Sequence, residues 1–190
     1  IGTVQDVALA AQDGVAALAE FDGAANQART AIASATARAN ELGVPQAGSS
    51  IQALGDKLDA VVNGIAQARN RLNQLDSFYS PARTDTYALG GRTPPPSQTV
   101  AEWQEAQTLA QQVRAQIPAI AQSVSSIGSI LQAAQSTAQA TAQKAAQAAQ
   151  LQQQQQQAAA QQQATAQQQA DQSTVQRARS SSLSLMNAGN

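Results

Sequence analysis

Three stretches of this chain repeat apolar residues at alternating three- and four-residue spacing, and each keeps its phase from end to end. The first seam reads Val4, Val7, Ala11, Gly14, Leu18, Phe21, Ala25, Ala28, Ile32, Ala35, Ala39 and Leu42, with no charged position. The second reads Ile51, Leu54, Leu58, Val61, Ile65, Ala68, Leu72, Leu75 and Tyr79. The third runs from Trp103 through Ala106, Ala110, Val113, Ile117, Ile120, Val124, Ile127 and Leu131 to Ala134 and Ala138. Each is a coiled-coil-like stripe. A seven-residue repeat keeps one face toward a partner only if the helices wrap gently around each other. The pattern therefore predicts an all-α, elongated bundle of three long helices, the third extended and rich in Ala and Gln. Function in such a chain is expected to rest on length and surface rather than on a pocket.

Composition narrows the chemistry. The 190 residues include no His and no Cys, so imidazole bases, thiolate nucleophiles and nitrogen or sulfur metal ligands are missing. Asp56, Asp59, Asp76 and Asp85 show no spacing beyond that of a solvated helix face, and no glycine-rich phosphate loop follows a strand. No enzyme, cofactor or metal site is expected. A formal net charge of −1 with dispersed Lys and Arg speaks against a nucleic-acid ligand, which needs a concentrated basic surface. There is also no apolar run of the roughly 18 to 20 residues that cross a bilayer as a helix. The hydrophobic fraction is 43%, but much of it is Ala and aromatics are 3%, so each residue buries little surface and the chain gains from partners.

The expected organisation is a helical hairpin over 1–79, a Pro/Gly-rich crossover over 80–99, a third helix over 100–170 and a tail over 171–190. Thr3 and Asp6 resemble a capping box opening a helix that runs to about Glu41. Gly14 and Gly23 inside it read as close-contact points or mild bends. Gly43, Val44 and Pro45 stop it, with a polar turn to Ser50, and the second helix spans about Ile51 to Phe78. Glu102 and Glu105 suit the first turns of the third helix, which is expected to kink near Pro118 because the seam stays in phase across the proline. From about residue 132 it becomes Ala- and Gln-rich. Between Ala115 and Ala170 the sole charge is Lys144. The segment reads either as a low-complexity polar tract prone to disorder or aggregation, or as a helix of good formers whose glutamine amides bond to adjacent subunits, and such a polar helix needs neighbours to stay ordered.

Two surfaces are candidates for binding. The segment Asp76 to Thr99 holds four of the six prolines and is longer than most connections, and Tyr79, Arg83, Tyr87 and Arg92 there are side chains favoured at interface hot spots. The competing expectation is a plain crossover whose tyrosines fold back on the helix ends. The third seam, at Trp103, Val113, Ile117, Ile120, Val124, Ile127 and Leu131, is the candidate surface for homo-oligomers.

The order of features from residue 72 onward resembles a known family. A helix ending Leu72-Asn-Gln-Leu-Asp-Ser-Phe-Tyr79, a Pro/Gly-containing crossover, a helix opening on Glu102-Trp103-Gln104 and a Gln-rich stretch over Gln150 to Gln163 look like the minor pilus proteins of conjugal-transfer type IV secretion systems. The resemblance implies an exported, periplasmic or extracellular protein at the pilus tip or on the assembling stalk, arranged as a ring of subunits that contacts other machine components. The chain begins at Ile1 rather than Met, as expected either of a mature product with its leader removed or of a sequence that omits its start. The family's globular appendage has little counterpart here beyond the loop over 76–99. A second reading, from another class, is an internal virion or ejection protein of a tailed phage forming a helical conduit for DNA, whose nearly uncharged lining avoids gripping phosphates.

Overall fold

A computed structural model describes residues 2–85, 89 and 93–189. Among these residues the regular structure is helical throughout, with three long helical rods packed together. The chain divides into two compact units, Ile1–Ala138 and Gln139–Asn190.

In the first unit, α1 (Val4–Leu42) opens at Thr3, whose hydroxyl accepts the Asp6 N–H at 3.2 Å while the Asp6 carboxylate accepts the Thr3 N–H at 2.9 Å. The reciprocal pair satisfies two donors that a helix start otherwise leaves open. The Thr3 backbone and side-chain bonds hold the Asp6 carboxyl below the usual carboxylate range. At the other end Gly43 takes the left-handed conformation (φ 66°), its N–H donating to the Asn40 carbonyl at 3.1 Å and the Val44 N–H to Ala39 at 3.4 Å.

The return begins earlier than the polar composition of 45–50 suggests. Helix α2 (Pro45–Gly64) takes Pro45 in its first turn, where the missing N–H costs nothing, and buries Ala47 one turn before Ile51. The expected turn over 43–50 thus shrinks to Gly43 and Val44. The second rod also breaks at Ile65 (φ −95°, ψ 3°), after which α3 (Ala66–Tyr79) resumes, and a 3₁₀ turn, Ser80–Arg83, tucks Ala82 inside. The break leaves the seam intact, with Ile65, Ala68, Leu72, Leu75 and Tyr79 all buried.

Helix α4 runs Pro96–Ala188. It starts before the expected residue 100, because Pro96 suits a first turn and the Gln98 and Thr99 N–H groups both find the Pro95 carbonyl. It passes through Pro118 without stopping, and Val113, Ile120, Ile127 and Ala134 are buried at intervals of one heptad. Where a tail is expected from 171, the helix continues to Ala188. No Gly or Pro interrupts 171–188, and Thr174 and Ser180 return their hydroxyls to the carbonyls of Ala170 and Gln176.

Side-chain pairs set the directions of the rods in the first unit. Asp22 meets Arg69 and Arg29 meets Asp59, so α1 and the second rod run antiparallel, whereas Gly2 lies against Val100 and, further along both helices, Asp13 and Glu20 meet Arg114, so α1 and α4 run parallel. At Gly14 the packing of α1 against α3 is tight, since a Cβ there would overlap the Leu72 side chain. Gly23 faces open space and marks no contact. The bulkiest fully buried side chains are Tyr79, Phe21, Ile51, Ile65, Leu72 and Leu75, and alanines make up most of the remaining buried apolar residues.

In the second unit every described residue, from Gln139 to Gly189, is exposed and helical up to Ala188.

Candidate functional site

The expected binding loop separates into parts with different fates. Tyr79 is fully buried, its ring edge-on to Phe78 with centroids 4.9 Å apart and its hydroxyl donating to Glu102 Oε2. It is a core residue that closes the α3–α4 interface and is not available to a partner, because the seam that ends α3 carries it inward. Burial first, then the hydrogen bond to Glu102, raises the Tyr79 phenol far above its ordinary pKa of 10.0. Arg83 is held by Asp76 at 2.9 Å and the Ser80 hydroxyl at 2.6 Å, so it clamps the 3₁₀ turn instead of standing free. Tyr87 and Arg92 lie outside the described residues.

Around Tyr79 the structure assembles a polar cluster that the sequence pattern does not single out. Arg71 on α3 donates two bonds of 2.8 Å to Glu105 and one of 3.4 Å to Glu102 on α4, and Gln98 donates to Glu102 at 3.2 Å. Glu102 thereby collects the Tyr79 phenol, the Arg71 guanidinium and the Gln98 amide. The Glu105 carboxylate, before the smaller contribution of Glu102, holds the Arg71 guanidinium above its usual value. Beside the cluster is a recess of 290 Å³ walled by Arg71, Gln74, Phe78 and Gln98, with Phe78 41% exposed at its edge. Arg71 and Phe78 are one heptad apart on the flank of α3 facing α4. The signal available in the sequence was opposite charge at positions flanking two antiparallel seams.

The expected oligomer seam is largely consumed within the chain. Val113 and Ile120 are buried in the main core with residues of α1 and α3, and Ile127 joins a smaller cluster with Ile51 and Leu54. Trp103, Ile117 and Leu131 are half-buried against the same clusters, and Val124 alone stands 36% exposed. The seam from 103 to 131 is the inner face of a bundle helix rather than the free surface expected for homo-oligomers, most of its apolar side chains packing within the chain against α1 and the second rod. The exposed large apolar residues of α4 beyond residue 138 are Leu151, Val175, Leu183, Leu185 and Met186.

Among the described residues no group of acidic side chains is arranged to hold a metal, and no helix is long and apolar enough to cross a membrane. No protein-family model, no curated protein and no solved structure matches the chain.

Proposed function

We propose that the chain is a structural and assembly protein, a subunit of a multi-component helical machine that associates with copies of itself through its Ala/Gln helix. The role that fits best is that of a minor pilus-tip or stalk component of a type IV secretion apparatus, working outside the cytoplasm beside other protein subunits. One observation carries the reading: residues 139–188 form helix with every position exposed, and Lys144 is their single charge before Asp171. Ala and Gln are good helix formers, but a helix polar on all faces owes little to burial. Neighbouring subunits supply what its own chain leaves open, through close approach at Ala and amide bonds between Gln side chains. The packed bundle supports the same reading, since its interior is occupied by side chains and its charged groups are mostly paired across helices, as suits a rigid spacer.

The test is light scattering of the full chain at micromolar concentration, together with conjugal transfer from a donor whose chromosomal copy is replaced by a variant with Gln150, Gln154, Gln157 and Gln161 changed to Glu. The added charges should reduce both oligomer mass and transfer. A monomeric wild type overturns the assembly reading. Association without any effect on transfer overturns the pilus role, and the ejection-protein reading then takes its place.

A further inference from the structure

Midway along the first unit the core is interrupted. One buried cluster reaches as far as Ala28, Leu58 and Ile120, and the next begins at Ala35, Leu54 and Ile127, with Ile32 half-buried against both. At this level α2 and α4 leave a groove of 590 Å³ between them. Side-chain size is the cause. The flank of α4 facing α2 carries Ala119, Ser123 and Ser126, none long enough to reach across, with the neutral amide of Gln122 beside them, and Val124 is exposed instead of filling the gap. Leu54 and Val61 form an apolar wall.

On the rim stands Lys57. Every described arginine of the first unit has a carboxylate partner, at Asp59, Glu41, Asp22, Glu105, Asp76 or Asp13, whereas Lys57 is the described cation of that unit with none. The Ser123 and Ser126 hydroxyls donate to the carbonyls of Ala119 and Gln122, one turn back, so the charged donor of the groove is the ammonium. The volume falls in the range of small-molecule sites, and apolar walls with one unpaired charge at the edge favour an amphipathic ion of opposite sign. We propose that this groove binds a free single-chain aliphatic carboxylate of medium length, its carboxylate on Lys57 and its hydrocarbon along Leu54, Val61 and Ala119. An aliphatic tail also suits the site because it replaces the contacts that the interrupted core lacks.

Decanoate is the probe, titrated below its micellar range into the full chain by calorimetry, with methyl NMR reporting on Leu54 and Val61. The expected result is saturable one-to-one binding that shifts those methyls. Lys57→Gln, a surface change that leaves the core alone, weakens it about tenfold or more. Ala119→Leu fills the groove and removes binding, while Lys144→Gln changes nothing. The proposal is overturned by no saturable binding, by equal affinity in Lys57→Gln, or by decylammonium binding as tightly as decanoate. A detergent-like partition onto the surface is recognised by methyl shifts spread over the whole first unit, and it too overturns the proposal.

Discussion

Tyr79 brings a ring that belongs in the core and a hydroxyl that does not, and Glu102 resolves the conflict by accepting the hydroxyl hydrogen. Tyr79→Phe keeps the ring and deletes the bond, so urea unfolding should show a loss of about 1.5–3 kcal/mol, the range for hydrogen bonds to charged groups. The raised phenol also fixes a pH dependence. Below the ordinary tyrosine pKa of 10.0 both folded and unfolded chains keep the proton, and the full stabilisation is present. As pH rises beyond it the unfolded chain ionises first, so stability falls progressively toward the higher folded-state value. Absorbance titration in a Tyr87→Phe background isolates this group, and ionisation at an ordinary pH in the folded protein contradicts the burial. Two glycines give an opposed pair of predictions. Gly14→Ala places a methyl against the packed Leu72, and overpacking of about 1–3 kcal/mol outweighs the gain in helix propensity. Gly23→Ala meets nothing within 4 Å and should stabilise by about 1 kcal/mol. Thermal melts that move both variants in the same direction refute the close approach of α1 and α3.

Helices chosen by seam alone have no assigned direction or partner, and in this protein the flanking charges supply both. Arg114 grips Asp13 through two bonds of 2.8 Å, tying α4 parallel to α1, and Arg69 grips Asp22, tying the second rod antiparallel. The Arg114 hydrogen bond holds the Asp13 carboxyl below its usual range, so the contribution of that pair is present above the ordinary aspartate value of 3.8 and is lost as pH falls through the depressed one. Solvent keeps each pair small: with Arg69 32% and Asp22 47% exposed, a double-mutant cycle should give a coupling of about 0.5–1 kcal/mol. Asp22→Arg should destabilise, and adding Arg69→Asp should restore most of the loss. The three seams were legible in the sequence because burial on one face imposes a heptad that few other structures need, and the buried positions of α1 and α3 follow it. Three features were not. Pro45 reads as a stop but serves as a helix start, the Ile65 break carries no Gly–Pro signature beyond Gly64, and the third seam reads the same whether its cover comes from its own chain or another. The cluster of Arg71, Glu102, Glu105 and Tyr79 needs the register between α3 and α4, which periodicity alone leaves free.

At the scale of the molecule the two units have different sources of order. Among the described residues every buried one lies at or before Ala134, so their hydrophobic core, including Phe21, Ile51, Leu72 and Val113, belongs to the first unit. The second unit has helix-forming composition, a scatter of exposed apolar side chains and no buried position. Helix formation is cooperative with a costly nucleus, and in water a long Ala/Gln segment without tertiary packing frays progressively instead of melting sharply. A chain ending at Ala138 should therefore keep the cooperative transition of the bundle, with a midpoint within a few degrees of the full chain, about what a change of under 1 kcal/mol produces. The full chain should show a second, broad loss of helicity whose midpoint rises with protein concentration, because association stabilises the folded form by mass action. Circular dichroism melts at two concentrations a hundredfold apart, paired with light scattering on both proteins, separate the alternatives. If the shortened chain loses its sharp transition, residues 139–190 support the bundle. If it keeps both the transition and the oligomer mass, self-association belongs to the first unit, and the Ala/Gln helix is available to a different partner.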